Sequence, residues 1–307
     1  MKKLFAIILC VAMLAMAFTA CSSGNDDTPA TDDAGTVTDA GNDGGEAATG
    51  MTGAINVISR EEGSGTRSAF TELLGIVDEN ENDATIATAE ATNSTAVMMQ
   101  TVADNEYAIG YISLGSLSDT VKAVSVDGVA ATAENVANGT YPIARPFNVA
   151  VKEGLSDVAA DFLTFLTSAE GQQIIEDEGY IKAVTDAPAY TGSGMSGTVS
   201  LAGSTSVGPV MEVLAEAYME INPDVSVEVQ QSGSGAGMTS AIEGVCDIGM
   251  ASRDVSEEEQ AQGLIPTTIA TDGIAVIVNL ENPVDNMASE DIRDIYLGTI
   301  TDWSEIQ

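Results

Sequence analysis

Between about residue 53 and residue 307, segments with the two-residue periodicity of strands alternate with segments that have the apolar spacing of helices. "INVI" (55–58) precedes the helix-like "SAFTELLG" (68–75), and "VSVEVQ" (225–230) alternates like a strand. "GIAVIVN" (273–279) is a continuous apolar run, which is typical of a strand buried on both faces. Strands that alternate with helices predict an α/β fold with largely parallel sheets.

Two stretches are predicted to be helical from their apolar spacing. The stretch 155–181 is strongly helical, with Ser156 as an N-cap. The helix that starts near Pro209 is predicted to bury one apolar stripe, which consists of Val210, Val213, Leu214, Ala217, Tyr218 and Ile221. Between these helices, "DAPAYTGSGMSG" (186–197) interrupts every regular pattern, and we interpret it as a linker.

Charge and composition exclude several classes of function. The chain has 47 Asp and Glu against 10 Lys and Arg, whereas a nucleic-acid-binding protein needs a basic face. A local pocket can still bind a small anion against that global charge. There is no histidine, which removes Ser-His-Asp and Cys-His nucleophile systems and histidine metal sites. Beyond the N-terminal segment the lysines are Lys122, Lys152 and Lys182, and none lies in a Gly/Ser-rich loop. We therefore expect no enzyme, no metal and no cofactor.

The N-terminus has the features of a secretory leader. Lys2 and Lys3 precede an apolar run that ends in small residues and "FTAC", which predicts a signal peptide over 1–20 and lipidation of Cys21. The alternative is a membrane-spanning anchor, for which the run is short. Residues 21–52 are acidic and of low complexity, so we expect a disordered tether. Cys246 lies in an apolar run and is predicted to be a buried, inert thiol.

Four loops share one composition of Gly, Ser and Thr, and three of them lead into a predicted helix. They are "SREEGSGTR" (59–67), "AGSTSVGP" (202–209), "QSGSGAGM" (231–238) and "GMASRD" (249–254). The N-terminus of a helix offers unpaired N–H donors and the positive end of the helix dipole, both of which favour an anion. Arg60, Arg67 and Arg253 add planar charged donors suited to oxyanions.

Each of these loops, taken alone, is more often a plain helix cap, and each arginine could pair with a surface carboxylate. Four such loops in one α/β chain are a stronger signal. In open α/β sheets, ligands bind at the carboxyl ends of the strands, where these loops are expected. The sequence therefore predicts an oxyanion site formed by several loops.

Several motifs of this chain resemble those of the phosphate-binding lipoproteins of bacterial phosphate ABC transporters. The motifs are "GSTSVGPVME", "QSGSGAGM", "CDIGMASRDVSEEE", "TDGIAVIVN", "IRDIYLGTITDWSEI", "INVISREEGSGTRSAF", "YAIGYISLG", "YPIARPF" and "SAEGQQIIEDEGYI". The resemblance covers almost all of 53–307. It implies an extracytoplasmic, lipid-anchored receptor that captures inorganic phosphate and delivers it to the membrane subunits of an ABC permease.

The order of the two sequence blocks differs from that of the family, in which the block starting at "GSTSVGP" comes first. The chain resembles a circular permutant, in which 186–197 joins the family's usual C-terminus to its usual N-terminus. The alternative is a truncated tandem array, which would need to swap parts between chains to complete a site.

The family fold implies two α/β domains of the type II periplasmic-binding-protein architecture, with the ligand in the cleft between them. Residues 53–145 plus 276–307 would form a split domain, and 146–275 would form a contiguous one. The crossing hinge strands would lie near "RPFNVAV" (145–151) and "DGIAVIVN" (272–279).

The resemblance also implies the contacts of the site. It assigns phosphate binding to Thr205, Ser206, Ser234, Arg60, Ser64, Gly65 and Thr66, and Ser252 is a further candidate donor. Some family members place a carboxylate after this serine to accept the proton of hydrogen phosphate, but here Arg253 stands there. Asp272 or Asp254 could supply the acceptor, and Arg253 could be an additional contact.

Two other functions remain open at this point. The same fold could bind another tetrahedral oxyanion, such as sulfate or molybdate. A surface lipoprotein with a degraded site could instead act as a scaffold or sensor.

Overall fold

The structure is a computed structural model that describes residues 50–306. The predicted signal peptide, Cys21 and nearly all of the predicted tether lie outside the described residues. Among the helices within 50–306, none combines the length and the apolar character needed to cross a bilayer.

Residues 56–151 form six strands and three helices. They are β1 (Asn56–Arg60), α1 (Gly65–Leu74), β2 (Glu90–Thr92), α2 (Thr95–Ala103), β3 (Ala108–Ser113), β4 (Lys122–Ala123), β5 (Ser125–Val126), α3 (Ala133–Ala137) and β6 (Ala144–Val151). Ser64 begins α1 as its N-cap, because its hydroxyl accepts a hydrogen bond from the backbone N–H of Arg67.

The rest of the chain adds six more strands and six more helices. They are α4 (Asp157–Leu166), α5 (Ala169–Asp177), β7 (Ile181–Lys182), β8 (Gly197–Gly203), α6 (Gly208–Ile221), β9 (Val225–Gln231), α7 (Ser234–Glu243), β10 (Ile248–Ala251), α8 (Glu257–Ala261), β11 (Ile265–Val278), β12 (Asn286–Met287) and α9 (Ser289–Leu297). The predicted alternation of strands and helices is confirmed.

The main sheet is continuous and of mixed direction. Its strands follow the order β2-β1-β3-β11-β6-β10-β8-β9, and β4 and β7 also pair with β11. The pairs β1–β3, β8–β9 and β8–β10 are parallel, as expected where helices connect strands. β11 runs antiparallel to β6 over its first part and antiparallel to β3 over its last five residues. One strand therefore crosses the middle of the sheet.

Hydrophobic packing separates into two main clusters on either side of this crossing. The first core consists of residues from 58–143 and 274–306, and the second core consists of residues from 147–270. In the first core the ring of Phe70 stacks on Tyr111 with centroids 4.0 Å apart. In the second core Phe162 meets Tyr218 edge to face at 4.9 Å. Each core thus has aromatic side chains that bury large apolar areas.

The predicted helical stretch 155–181 forms two helices, because the chain turns at Ser168, which caps α5 by accepting from the N–H of Gly171. One detail of the helix prediction is wrong. The buried face of α6 is rotated toward Met211 and Ala215, so that Val213 and Ile221 are 36% and 40% exposed. Apolar spacing located α6 correctly, but the neighbouring elements decided which face is covered.

The predicted linker is an irregular segment that is held by what we call the junction clamp: Asp161, Tyr190, Ser193 and Tyr218. The Asp161 carboxylate accepts from the hydroxyls of Tyr190 (2.5 Å), Tyr218 (2.6 Å) and Ser193 (2.7 Å). Burial raises the pKa of Asp161, but the three hydroxyl donors outweigh that effect, and the net shift is downward. The carboxylate is therefore stabilised in its charged form.

Candidate functional site

The opening loop reaches the site from the end of β1. Arg60 is the last residue of β1, and Gly65 and Thr66 form the first turn of α1. The backbone N–H of Arg60 donates to the Tyr111 hydroxyl at 3.1 Å, and that hydroxyl also bonds with Ser59 at 2.9 Å. Burial raises the pKa of Tyr111 to about 12, so it stays protonated. Tyr111 thus fixes the backbone from which Arg60 extends.

The loop between β8 and α6 turns sharply around Ser204. The Ser204 hydroxyl accepts from the backbone N–H groups of Ser206 and Val207, at 3.2 and 3.3 Å. The turn starts at Gly203, which has a φ of 146°, and a Cβ there would lie 2.1 Å from the carbonyl oxygen of Met250. Only glycine fits this close approach of backbones. The turn then places Thr205 and Ser206 ahead of α6.

The remaining predicted donors lie next to this loop. Ser234 is the first residue of α7, and Ser252 follows β10. The backbone N–H of Ser252 donates to the Ser234 hydroxyl at 3.2 Å, and the two hydroxyls are 3.4 Å apart. Since β8 and β10 are parallel neighbours, their following loops meet at one edge of the sheet.

Contacts between the two sequence blocks bring all these loops together. The Thr66 hydroxyl lies 2.8 Å from that of Ser206 and 3.5 Å from that of Ser252. Arg60 donates through Nη2 to the Thr205 hydroxyl at 2.9 Å. A Cβ at Gly65 would lie 2.4 Å from the hydroxyl oxygen of Ser234. The predicted donors therefore surround one point between the two cores.

We call these side chains, together with Thr95, the donor cluster. Its members are Arg60, Thr66, Thr95, Thr205, Ser206, Ser234 and Ser252, each at most 5% exposed. The sequence analysis missed Thr95, the first residue of α2, whose hydroxyl is 3.3 Å from that of Ser206. The signal that could have found it is "NST", a hydroxyl-rich start of a helix like those of the other loops. Four helices, α1, α2, α6 and α7, begin at this cluster.

The charge in the cluster comes from Arg60. Its Nε and Nη2 each donate to a carboxylate oxygen of Glu61 at 2.8 Å. Its Nη1 is buried and has no hydrogen-bond partner among the described residues. A buried, unpaired guanidinium N–H is costly unless a further acceptor meets it. In residues 50–306, no hydroxyl of the donor cluster donates to a carboxylate.

A second buried arginine, which the sequence analysis did not select, lies behind Ser252. Arg145 on β6 donates through Nη1 to the Ser252 carbonyl oxygen at 2.9 Å and through Nη2 to Asp272 at 3.1 Å. Asp272 thus pairs with Arg145 and contacts none of the cluster hydroxyls. Burial raises the pKa of Asp272, whereas Arg145 acts to lower it. The sequence analysis did not select Arg145 as a site residue because it assigned 145–151 to a hinge strand.

The structure places the other two charged candidates away from the cluster. Arg253 makes a bidentate ion pair with Glu259 at 2.8 and 2.7 Å, and Asp254 is exposed. Glu259 also forms a capping box with Ser256 at the start of α8. Cys246 is buried as predicted, and its pKa is raised by burial. Among the described residues there is no group of three or more potential metal-binding side chains.

Comparison with known proteins identifies the family. A model of the PBP superfamily domain matches residues 13–170 and 188–307. The phosphate-binding protein PstS 2 of Streptococcus agalactiae is 48% identical over 259 residues, which cover 83% of this chain and 88% of that protein. The phosphate-binding protein PstS of Bacillus subtilis is 34% identical over 115 residues, or 36% of this chain and 38% of that protein.

A solved structure has the same fold. The crystal structure of a phosphate-binding protein of a phosphate ABC transporter from Streptococcus pneumoniae matches with a TM-score of 0.67 and 44% identity. The match covers 83% of this chain and all of that one. The predicted periplasmic-binding-protein-like α/β fold is thereby confirmed. The chain belongs to the PstS family of phosphate-binding proteins, which are substrate-binding proteins of transporters and not enzymes.

Proposed function

We propose that this chain is an extracytoplasmic receptor that binds inorganic phosphate in the donor cluster and delivers it to the membrane subunits of an ABC permease. The observation that carries this proposal is a buried cluster of six hydroxyls beside Arg60. Within 50–306, none of these hydroxyls donates to a carboxylate, and Nη1 of Arg60 has no hydrogen-bond partner. Four helix N-termini add N–H donors and positive dipole ends to the same point. Such a set of donors is complementary to a tetrahedral oxyanion.

Calorimetric titration of the purified full chain with phosphate, after removal of bound anion, tests the proposal. We expect one phosphate per chain and a large loss of affinity in Arg60→Met. A folded wild-type chain that binds neither phosphate nor sulfate would contradict the proposal and favour the scaffold function.

A second candidate is a receptor for another tetrahedral dianion, such as sulfate or molybdate. It is favoured by the absence of a carboxylate among the contacts of the cluster hydroxyls in residues 50–306. A carboxylate that accepts the proton of hydrogen phosphate would repel the unprotonated sulfate dianion. Titration with sulfate distinguishes the two functions, because a phosphate receptor should bind sulfate at least about 100-fold more weakly.

We further propose that the chain is a permuted monomer with the two domains bounded as predicted, 53–145 plus 276–307 and 146–275. The two cores support this division, because their residues separate between Ile143 and Phe147 and between Ala270 and Ile274. Near the ends of the described chain, Ala54 pairs with Asp302, and the N–H of Trp303 donates to the Gly53 carbonyl oxygen.

The S. agalactiae protein matches over 259 residues, which is more than either block contains, so it has the same block order as this chain. The B. subtilis protein matches over 115 residues, about the length of one block, as expected of a relative with the other block order. Mass measurement by light scattering, combined with titration, tests this proposal. A monomer that binds phosphate supports it, and binding confined to a dimer would favour the swapped array.

Lipid attachment at Cys21 remains part of the proposal. Mass spectrometry of the membrane-extracted protein would find an N-terminal diacylglyceryl cysteine at position 21. An unmodified chain that still begins at residue 1 would contradict it.

A further inference from the structure

The ion pair of Arg145 and Asp272 joins the two strands that run through the middle of the sheet. The two residues are directly opposite each other in the β6–β11 register, and Nη2 of Arg145 lies 3.1 Å from Oδ2 of Asp272. Both side chains are 1% exposed. A fully buried ion pair is a poor source of stability, because desolvation offsets most of the attraction.

This ion pair is in direct contact with the donor cluster through Arg145. Nη1 of Arg145 donates to the carbonyl oxygen of Ser252 at 2.9 Å, and the Ser252 hydroxyl is one of the cluster donors. Besides burial, which lowers the pKa of Arg145, the positive charge of Arg60 acts on it in the same direction.

The charges around the cluster cancel in pairs. Arg60 is matched by Glu61, and Arg145 is matched by Asp272. Both oxygens of Asp272 face other partners: Oδ2 meets Arg145, and Oδ1 lies 3.5 Å from the backbone N–H of Gly115. Asp272 therefore balances charge without presenting an acceptor to the cluster hydroxyls.

We propose that Asp272 is a positioning residue and counter-charge that holds Arg145 against Ser252 and limits the affinity of the donor cluster for doubly charged tetrahedral anions. This inference rests on the proposed phosphate-binding function. Without the Asp272 charge, Arg145 would act on a bound dianion through a buried, weakly screened region. Too tight a complex would slow release of the anion.

The wild type and three variants, which give this pair three different net charges, test the inference. Asp272→Asn makes the pair positive, Arg145→Gln makes it negative, and the double variant is neutral like the wild type. We expect Asp272→Asn to bind both phosphate and sulfate at least about tenfold more tightly, and Arg145→Gln at least about tenfold more weakly. The double variant should return to within about threefold of the wild type. Dissociation constants are measured by calorimetry at one pH and one ionic strength.

Two patterns would overturn the inference. If Asp272→Asn weakened phosphate binding and left sulfate binding unchanged, Asp272 would be the acceptor of the phosphate proton. If both single variants and the double variant all bound more weakly, the pair would have only a structural role. A tightened complex is a readout that structural damage does not produce.

Folding is controlled separately, because either single variant leaves a buried charge without its partner. If Asp272→Asn is unfolded in chloride, refolding it in phosphate or sulfate becomes the test. Rescue by these dianions supports the inference, and failure of both to rescue overturns it. If the wild type binds no anion, the proposed function fails. If the wild type binds phosphate but the variants do not show the expected order of affinities, only this inference is refuted.

Discussion

The donor cluster and the junction clamp are both groups of hydroxyls, but they differ in what lies at their centre. In the junction clamp three hydroxyls converge on the carboxylate of Asp161, at 2.5 to 2.7 Å. In the donor cluster six hydroxyls contact one another and Arg60, and within 50–306 none reaches a carboxylate. The clamp thus contains its own anion, and the donor cluster does not.

This difference separates stability from binding. Charge-assisted hydrogen bonds that are complete inside the fold stabilise it, whereas buried donors without an anionic acceptor favour a ligand that supplies one. Changes in the donor cluster should therefore alter affinity with little loss of stability. Changes in the junction clamp should alter stability with little loss of affinity.

The largest effect is expected from Arg60→Met, which removes the one charged donor of the cluster. Phosphate affinity should fall at least about 100-fold, because a charge-assisted, buried contact is lost. The matched control is Arg253→Met, since Arg253 pairs with Glu259 outside the cluster, and its affinity should stay within about twofold. Calorimetry measures both. Equal losses in the two variants would refute the assignment of Arg60.

Gly65→Ala should change phosphate affinity more than it changes stability. The added methyl group would lie 2.4 Å from the Ser234 hydroxyl oxygen and 2.9 Å from that of Ser252, where the loops of the two blocks meet. We expect about a 30-fold loss of phosphate affinity, because the loops must move apart to admit the methyl group. The higher helix propensity of alanine in α1 should offset part of the lost stability. In the control Gly235→Ala, the nearest atom to the new methyl group is 3.4 Å away. Unchanged affinity in Gly65→Ala would contradict close approach of the loops.

Asp161→Asn probes the junction clamp and should cost about 1–2 kcal/mol of unfolding free energy at pH 7, because three hydroxyls lose their charged acceptor. Phosphate affinity should not change. The pKa of Asp161 is lowered in the fold, so its contribution is complete above the unfolded pKa and is lost as the pH falls through the folded value.

Urea denaturation of the wild type and Asp161→Asn at several pH values measures this contribution. The difference between the two proteins should be full at neutral pH and should shrink below about pH 4. A difference that is constant down to pH 2 would mean that the charge of Asp161 is not what stabilises the clamp.

The smallest effect is expected from Ser206→Ala, which removes one neutral donor among several. Its hydroxyl lies 2.8 Å from that of Thr66 and 3.3 Å from that of Thr95. Loss of one hydrogen bond of this kind should weaken phosphate binding by about fivefold. Ser240→Ala is the control, because that hydroxyl bonds only to the Ala236 carbonyl oxygen within α7. An equal effect of the two substitutions would exclude Ser206 from the site.

Much of the fold and of the candidate site was predictable from the sequence because the signals are local. Periodicity marks strands and helices over a few residues, and Gly, Ser and Thr mark the loops that open α1, α6 and α7. The motifs of the four loops also indicated the family. Thr205, Ser206, Ser234, Arg60 and Thr66 were selected this way, and the structure brings them to one point.

The tertiary structure decided what depends on distant neighbours. Arg145 and Arg253 look equally available in the sequence, yet one is buried behind Ser252 and the other pairs with Glu259. Asp272 was predicted as an acceptor, but the β6–β11 register places it opposite Arg145. A sequence states which groups can donate or accept. Only packing decides which of them are paired, buried and left facing the same point, and the contacts that form the site join residues more than a hundred positions apart.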